Sequence, residues 1–469
     1  MALDFLPTEI LHSIMDELDL NDHRRLRLVC SRLNTIASSR TMKNLDFFLC
    51  KPDFDMLQSI ADRNGEHVTS LIYVATMVSS KRHDFDAYNQ LIRRDWDYEH
   101  LEMIDADPRG YFEHYERAYE SQQDILAHDR DYQLLESVLA KLPNLDRIVV
   151  WSQHQGQAEI SVEPATRRMY NHGRLGVCER SVCITGVDYG DGAARHLRAL
   201  LRGVQTAGTK LRTIIATGMH YSFFDPEQFG LASVAPHLFE NLSCLELSIE
   251  ALADWDYDHY NNQQEKFILM PHVTDASACR ATMQKGMLRK ALLNMPNLTR
   301  LRLIVIGVLR DWELALADGR SCHPPDFEDM VSPEQSWPRL KSLTLEGMYA
   351  SQEQLAGLII RCRETLTSVE LNRVRMTNGS WRKLLPQLKE GIAGRKIDVA
   401  LGWDLEDWSG GVRMKDWVRR GGRTAVQDYF GDPSVSKIPL EDGARASLRD
   451  LLEGFEDVPS SDEAWSDED

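Results

Sequence analysis

The chain has 469 residues, with 54 basic against 72 acidic side chains and a formal net charge of −18. That length exceeds what one compact core usually supports, so several domains or a repeat stack are expected. The acidic balance argues against a general phosphate-backbone binder, which needs a basic face, and the longest apolar run, Leu303 to Leu309, is far short of the roughly 18 residues of a membrane span.

The opening segment reads as short helices. Pro7 suits a first helical turn, where its missing N–H is no loss and its φ is already set. Leu11, Ile14, Met15 and Leu18 then fall at i, i+3, i+4 and i+7, with Ile10 widening the stripe. Asn21 or Asp22 can cap a second helix through Leu26 and Val29, and Ser31 can cap a third carrying Leu33 and Ile36. Three helices this short bury too little to be stable alone, since units below about 40 residues need outside help. Their apolar excess calls for a partner.

Leu6-Pro7, Glu9-Ile10-Leu11, Leu26 and Val29-Cys30, in that order, resemble an F-box. This is the helical module by which substrate receptors attach to the Skp-type adaptor of a Skp–cullin–F-box ubiquitin ligase. The resemblance covers residues 1–45. It implies that Leu6, Pro7, Ile10, Leu11, Ile14, Leu26, Val29 and Cys30 line the adaptor interface. It further implies a cullin reached through the adaptor, an unknown protein target, and a chain that catalyses nothing itself. The rival expectations are an adaptor-binding scaffold without a target for ubiquitination, and an enzyme hidden in the rest of the chain.

From 46 to 430 a helical stripe, a short break and an L-x-x-L-x-L strand pattern recur. The clearest copies are Leu145-x-x-Ile148-x-Val150, Leu298-x-x-Leu301-x-Leu303 and Leu340-x-x-Leu343-x-Leu345. Weaker copies are Val68-x-x-Leu71-x-Tyr73, Leu211-x-x-Ile214, Leu242-x-x-Leu245-x-Leu247 and Leu366-x-x-Val369-x-Leu371. Alternate apolar positions have the period of a strand buried on one face. Helical stripes precede them, among them Leu197, Leu200, Leu201 and Val204, and a stretch from Ser351 in which Gln354 closes a capping box ahead of Leu355, Leu358, Ile359 and Cys362. Alternating helices and strands at this density predict an α/β fold, with parallel strands stacked in one dimension. The pattern resembles leucine-rich repeats, loosely. The spacing is 26 residues from Leu340 to Leu366 but 42 from Leu298 to Leu340 and 56 from Leu242 to Leu298. Met348, Val374 and Ile306 stand where that family has asparagine, so no regular asparagine ladder is expected.

Insertions are expected near 80–130 and 250–280, with acidic and aromatic stretches at Arg93 to Tyr119 and Asp254 to Gln264. Residues 431–469 form a C-terminal segment, acidic and expected to be disordered from 456, where Ser460 and Ser466 each precede an acid by three positions. Ahead of it, Trp417-Val418-x-x-Gly421-Gly422 is similar to the ends of F-box proteins from filamentous fungi. The eight cysteines contain no C-x-x-C pair and the opening has no basic-then-apolar leader, so reduced thiols in an intracellular protein are expected. No cofactor or metal motif is complete. His100-x-Glu102 and His114-x-Glu116 lack the downstream P-C-x-x-C of a zinc deaminase. Gly190-x-Gly192 and Gly391-x-x-Gly394 lack the rest of a nucleotide loop.

Overall fold

The structure, a computed structural model, describes residues 6–78, 85–86, 108–151, 183–185, 192–251, 276–306, 325–401 and 406–407. The Asp254–Gln264 stretch, His100, Gly190, the tryptophans at 403, 408 and 417 and the acidic tail lie outside the described residues.

The chain opens with α1 (Thr8–Asp16), α2 (Leu20–Leu26) and α3 (Ser31–Thr41). Pro7 sits one position before the first helical residue, and its carbonyl accepts the Leu11 N–H at 3.1 Å. The caps differ from the expected ones. Asp19, not Asn21 or Asp22, caps α2 by accepting the Asp22 N–H at 2.8 Å, because the helix begins two residues earlier than its stripe suggests. Cys30, not Ser31, caps α3: its backbone is extended and its thiol accepts the Leu33 N–H at 3.5 Å, while Ser31 is already helical. Leu11, Met15, Leu33, Ile36 and Ala37 form a small separate core, with Leu6, Leu18, Leu26 and Cys30 packed on it. The buried His23 ring meets the Met15 carbonyl at 2.7 Å, fastening α2 to the end of α1.

After α3 the chain enters β1 (Asn44–Phe48), α4 (Lys51–Asn64), β2 (Ser70–Val74) and the short β3 (Thr76–Val78). Next come α5 (Pro108–Ala127), α6 (Arg130–Leu139), β4 (Arg147–Trp151), β5 (Cys183–Thr185) and α7 (Gly192–Ala207). β6 (Thr213–His220) reaches β7 (Cys244–Glu250) through three 3-10 turns instead of a helix, and buried Phe223, Phe224, Leu231, Leu238 and Phe239 fill the helix layer there. Then follow α8 (Ala276–Gln284), α9 (Met287–Leu293), β8 (Arg300–Ile306), α10 (Phe327–Met330), β9 (Ser342–Glu346) and β10 (Tyr349–Ser351). The described part closes with α11 (Gln352–Cys362), β11 (Ser368–Asn372), β12 (Arg375–Asn378), α12 (Trp381–Gly391), β13 (Asp398–Leu401) and β14 (Glu406–Asp407).

Nine strands form one wholly parallel sheet in the order β1-β2-β4-β6-β7-β8-β9-β11-β13. The order follows the chain without a reversal. A doubly wound sheet reverses at a switch point, whereas a stack that grows only at its end does not, so the body is an α/β solenoid-like region. Register explains its cohesion. Leu45, Leu71, Ile148, Ile214, Leu245, Leu301, Leu343, Val369 and Val399 pair in one row across the sheet, and Phe47, Tyr73, Val150, Ala216, Leu247, Leu303, Leu345, Leu371 and Leu401 in the next. Both rows face the helices and belong to one continuous buried cluster. The leading positions Val68, Leu145, Leu211, Leu242, Leu298, Leu340 and Leu366 are buried with them.

The expected helical stripes pack onto these rows. The Ser351 capping box is present: Ser351 Oγ accepts the Gln354 N–H at 3.2 Å and Gln354 Oε1 accepts the Ser351 N–H at 2.8 Å. Met348 and Val374, where asparagines would stand in a regular repeat, are buried apolar residues of the same cluster. The preceding Gly347 has φ +74°, and a Cβ there would overlap the Val305 carbonyl, so only glycine fits this turn. Within the expected 80–130 insertion, α5 docks through buried Tyr115, Gln122 and Ile125.

Candidate functional site

Four large hydrophobic side chains are exposed among the described residues. Three of them, Ile10 (47%), Leu28 (88%) and Val29 (63%), belong to the N-terminal helices; the fourth is Leu293 (56%). Ile10 lies in the first turn of α1 beside exposed Pro7. Leu28 and Val29 form the turn between α2 and α3, held by N–H donation to the carbonyls of Arg25 (3.0 Å) and Leu26 (3.1 Å). The Arg32 guanidinium donates to the Thr8 hydroxyl at 3.0 Å, which brings the start of α3 alongside the start of α1. Pro7, Ile10, Leu28 and Val29 thereby share one end of the module. Fully burying a side chain of this size contributes roughly 1.5–3 kcal/mol, so a partner covering this end gains several kcal/mol before ordering costs. Arg27, donating to Asn34 at 3.2 Å, and the Arg25–Asp22 pair at 3.3 Å supply polar groups in the same helices.

The eight residues expected at the interface separate by exposure. Pro7, Ile10 and Val29 are exposed, while Leu6, Ile14, Leu26 and Cys30 are half-buried. Leu6, Leu26 and Cys30 lean on the module's core, and Cys30 caps α3 as well. Leu11, at 1% exposure, is one of the five residues of that small core. Leu28, 88% exposed, lies in a turn and on no helical stripe, so the sequence pattern does not single it out.

The body offers a different surface. Alternate residues of the strands point away from the helices. On β2, β4 and β6 these are Ile72, Val149 and Ile215, a small apolar cluster with Trp151 at its margin. From β7 to β11 most are polar, Ile304 and Ile306 at the end of β8 excepted: Glu246 pairs with Arg300 (3.1 Å) and Arg302 (3.8 Å), and Glu370 accepts from Thr344 (3.3 Å) and Asn372 (3.0 Å). The Cys244 thiol beside Glu246 is pushed up to about 12, mainly by burial, so it is not a nucleophile. Among the described residues no group of three His, Cys, Asp or Glu could hold a metal ion, and no helix is long and apolar enough to cross a membrane. Gly391-x-x-Gly394 ends a helix where a phosphate loop would begin one. The cleft edged by Phe223, Phe224, Leu231 and Met287 has Asp225 as its only titratable lining residue. The Glu227 N–H and Lys285 hold that carboxyl below the usual range, as suits a structural ion pair.

A family model for the F-box-like domain matches residues 3–47. The chain carries an F-box-like domain at its N-terminal end. F-box domains in general bind Skp-type adaptors of Skp–cullin–F-box ligases, and proteins carrying them are generally non-catalytic adaptors. In this F-box the exposed set Pro7, Ile10, Leu28 and Val29 lies wholly inside the matched segment, whose last residues already belong to β1. No curated protein matches the chain.

Proposed function

We propose that this chain is the substrate-recognition subunit of a Skp–cullin–F-box ubiquitin ligase. The F-box binds the adaptor through Pro7, Ile10, Leu28 and Val29, and the solenoid, a degenerate leucine-rich-repeat-like body, holds a target protein inside the cell. The supporting observation is the concentration of exposed apolar side chains in the F-box, beside a body whose described residues leave only Leu293 of this kind exposed. The mechanism is proximity. Tethering raises the effective concentration of a target lysine near the conjugating enzyme, and no residue of this chain need act as acid, base or nucleophile.

The test is co-purification of the full chain from cells, probed for the Skp-type adaptor and cullin. Wild type is expected to recover both. Ile10→Asp with Val29→Asp is expected to lose both at least 100-fold with an unchanged melting temperature, because neither residue supports the module's core. Adaptor without cullin would favour a scaffold, and recovery of neither by wild type would overturn the proposal.

A further inference from the structure

Every internal run longer than ten residues outside the described set (87–107, 152–182, 252–275 and 307–324) lies between the end of a main-sheet strand and the next helix. The returns from helix to strand are short, seven residues at most except for the eleven between α10 and β9. The extra sequence therefore follows the carboxyl ends of the parallel strands. The carboxyl ends of β6, β7 and β8 are paired in register: His220 with Glu250, and Glu250 with Ile306.

Glu250 is anomalous. Leu245, Leu247 and Ile249 face the helices, which puts Glu246, Ser248 and Glu250 on the opposite face, where Ser248 and Glu250 are themselves buried. Glu246 is held by two arginines. Glu250 is 5% exposed and its carboxyl has, among the described residues, no hydrogen-bond or ion-pair partner. Burial alone pushes its carboxyl up to about 7. The titratable groups on the flanking strands of this face are His220 on β6, whose Nδ1 meets Ser222 Oγ at 2.9 Å, and, toward the strand starts, Arg300 and Arg302; Ile304 and Ile306 of β8 carry none. A desolvated carboxylate without a counter-ion is costly, and a cation delivered from outside removes that cost. The net charge of −18 draws cationic partners toward the chain.

We propose that the carboxyl edge of β6, β7 and β8 is the partner-binding edge of the solenoid, with Glu250 as the seat for a lysine or arginine side chain of a target protein. The inference rests on the reading of the solenoid as the target-binding part. Binding at this seat selects the ionised carboxylate, so affinity rises as pH rises through about 7.

The experiment uses the full chain bound to its adaptor and a ligand-detected NMR titration with acetylated pentapeptides, Gly-Gly-Arg-Gly-Gly and its neutral citrulline counterpart. The arginine peptide is expected to saturate, to bind about tenfold more tightly at pH 8 than at pH 6, and to exceed the citrulline peptide. Glu250→Gln, nearly isosteric, is expected to abolish both the pH dependence and the preference for charge. His220→Gln is expected to retain both. Equal binding of the two peptides by wild type, or an arginine preference that survives Glu250→Gln, would overturn the inference. Adaptor recovery is read in the same preparations. Loss of the adaptor from wild type refutes the ligase reading, whereas adaptor retained without arginine binding refutes only the Glu250 seat.

Discussion

The F-box and the solenoid use the same apolar residue types to opposite ends. In the module, three of the largest aliphatic side chains face solvent over a core of five buried residues. In the solenoid, two unbroken rows of nine side chains close under a layer of helices, and the one large aliphatic left exposed among its described residues is Leu293. Each solenoid unit finds its missing partner in the next unit of the same chain, through a register that repeats. Among the described residues the F-box has no such neighbour over Ile10, Leu28 and Val29.

The sharpest way to break this contrast is to remove the same side chain from each core. Leu303→Ala is expected to cost about 2–5 kcal/mol of solenoid stability, seen as a lower denaturant midpoint, with adaptor recovery intact. Leu11→Ala carries a similar cost, but in so small a core that the module loses its fold. Adaptor binding should vanish while the main unfolding transition stays in place. If both variants fell in a single transition, the two cores would not be separable.

A smaller effect belongs to Glu250. Its carboxyl titrates near 7 in the folded chain against an ordinary value of 4.5. The folded state therefore holds the proton more tightly, so stability is highest below about pH 4.5 and is lost as pH rises from there through 7. The loss is on the order of 3 kcal/mol. Glu250→Gln should abolish it, so melting curves of the variant and wild type are expected to converge at pH 4.5 and diverge by pH 8. Curves that stay parallel would rule out a desolvated Glu250. Smallest is Ser351→Ala, which removes one side of a capping box and is expected to cost about 1 kcal/mol without touching either binding surface.

Seven of the nine main strands were legible in the sequence because Leu, Ile and Val recur at period two on a face that is always buried. β1 carries the same pattern, as Met42-x-x-Leu45-x-Phe47, but the boundary expected at 45 falls inside it because the F-box resemblance runs that far. β13 keeps Val399 and Leu401 but has Lys396 in the leading position, so its pattern is incomplete. The site was less readable. Residue type shows that Ile10 and Leu11 are apolar, while adjacent helical positions differ by about 100°, and only the packing of α3 decides which of the two is covered. Leu28 gave no periodic signal at all. The caps at Asp19 and Cys30 were missed for a similar reason: several polar residues compete within two or three positions, and backbone geometry selects among them.

Only Met42 and Lys43 separate α3 from β1, Met42 packs against the main core, and the Lys43 carbonyl accepts the N–H groups of both Thr69 and Ser70. The F-box is thus spliced to the first rung of a ladder, with no tether between. Rungs in a sheet are about 4.8 Å apart, so β7, four rungs on, stands about 19 Å from β1 and β13 about 38 Å. The sheet is a ruler with its zero fixed at the F-box. Where along the strands a bound protein sits would set how far its lysines stand from that zero, and a unit added or removed between would move them by a whole rung.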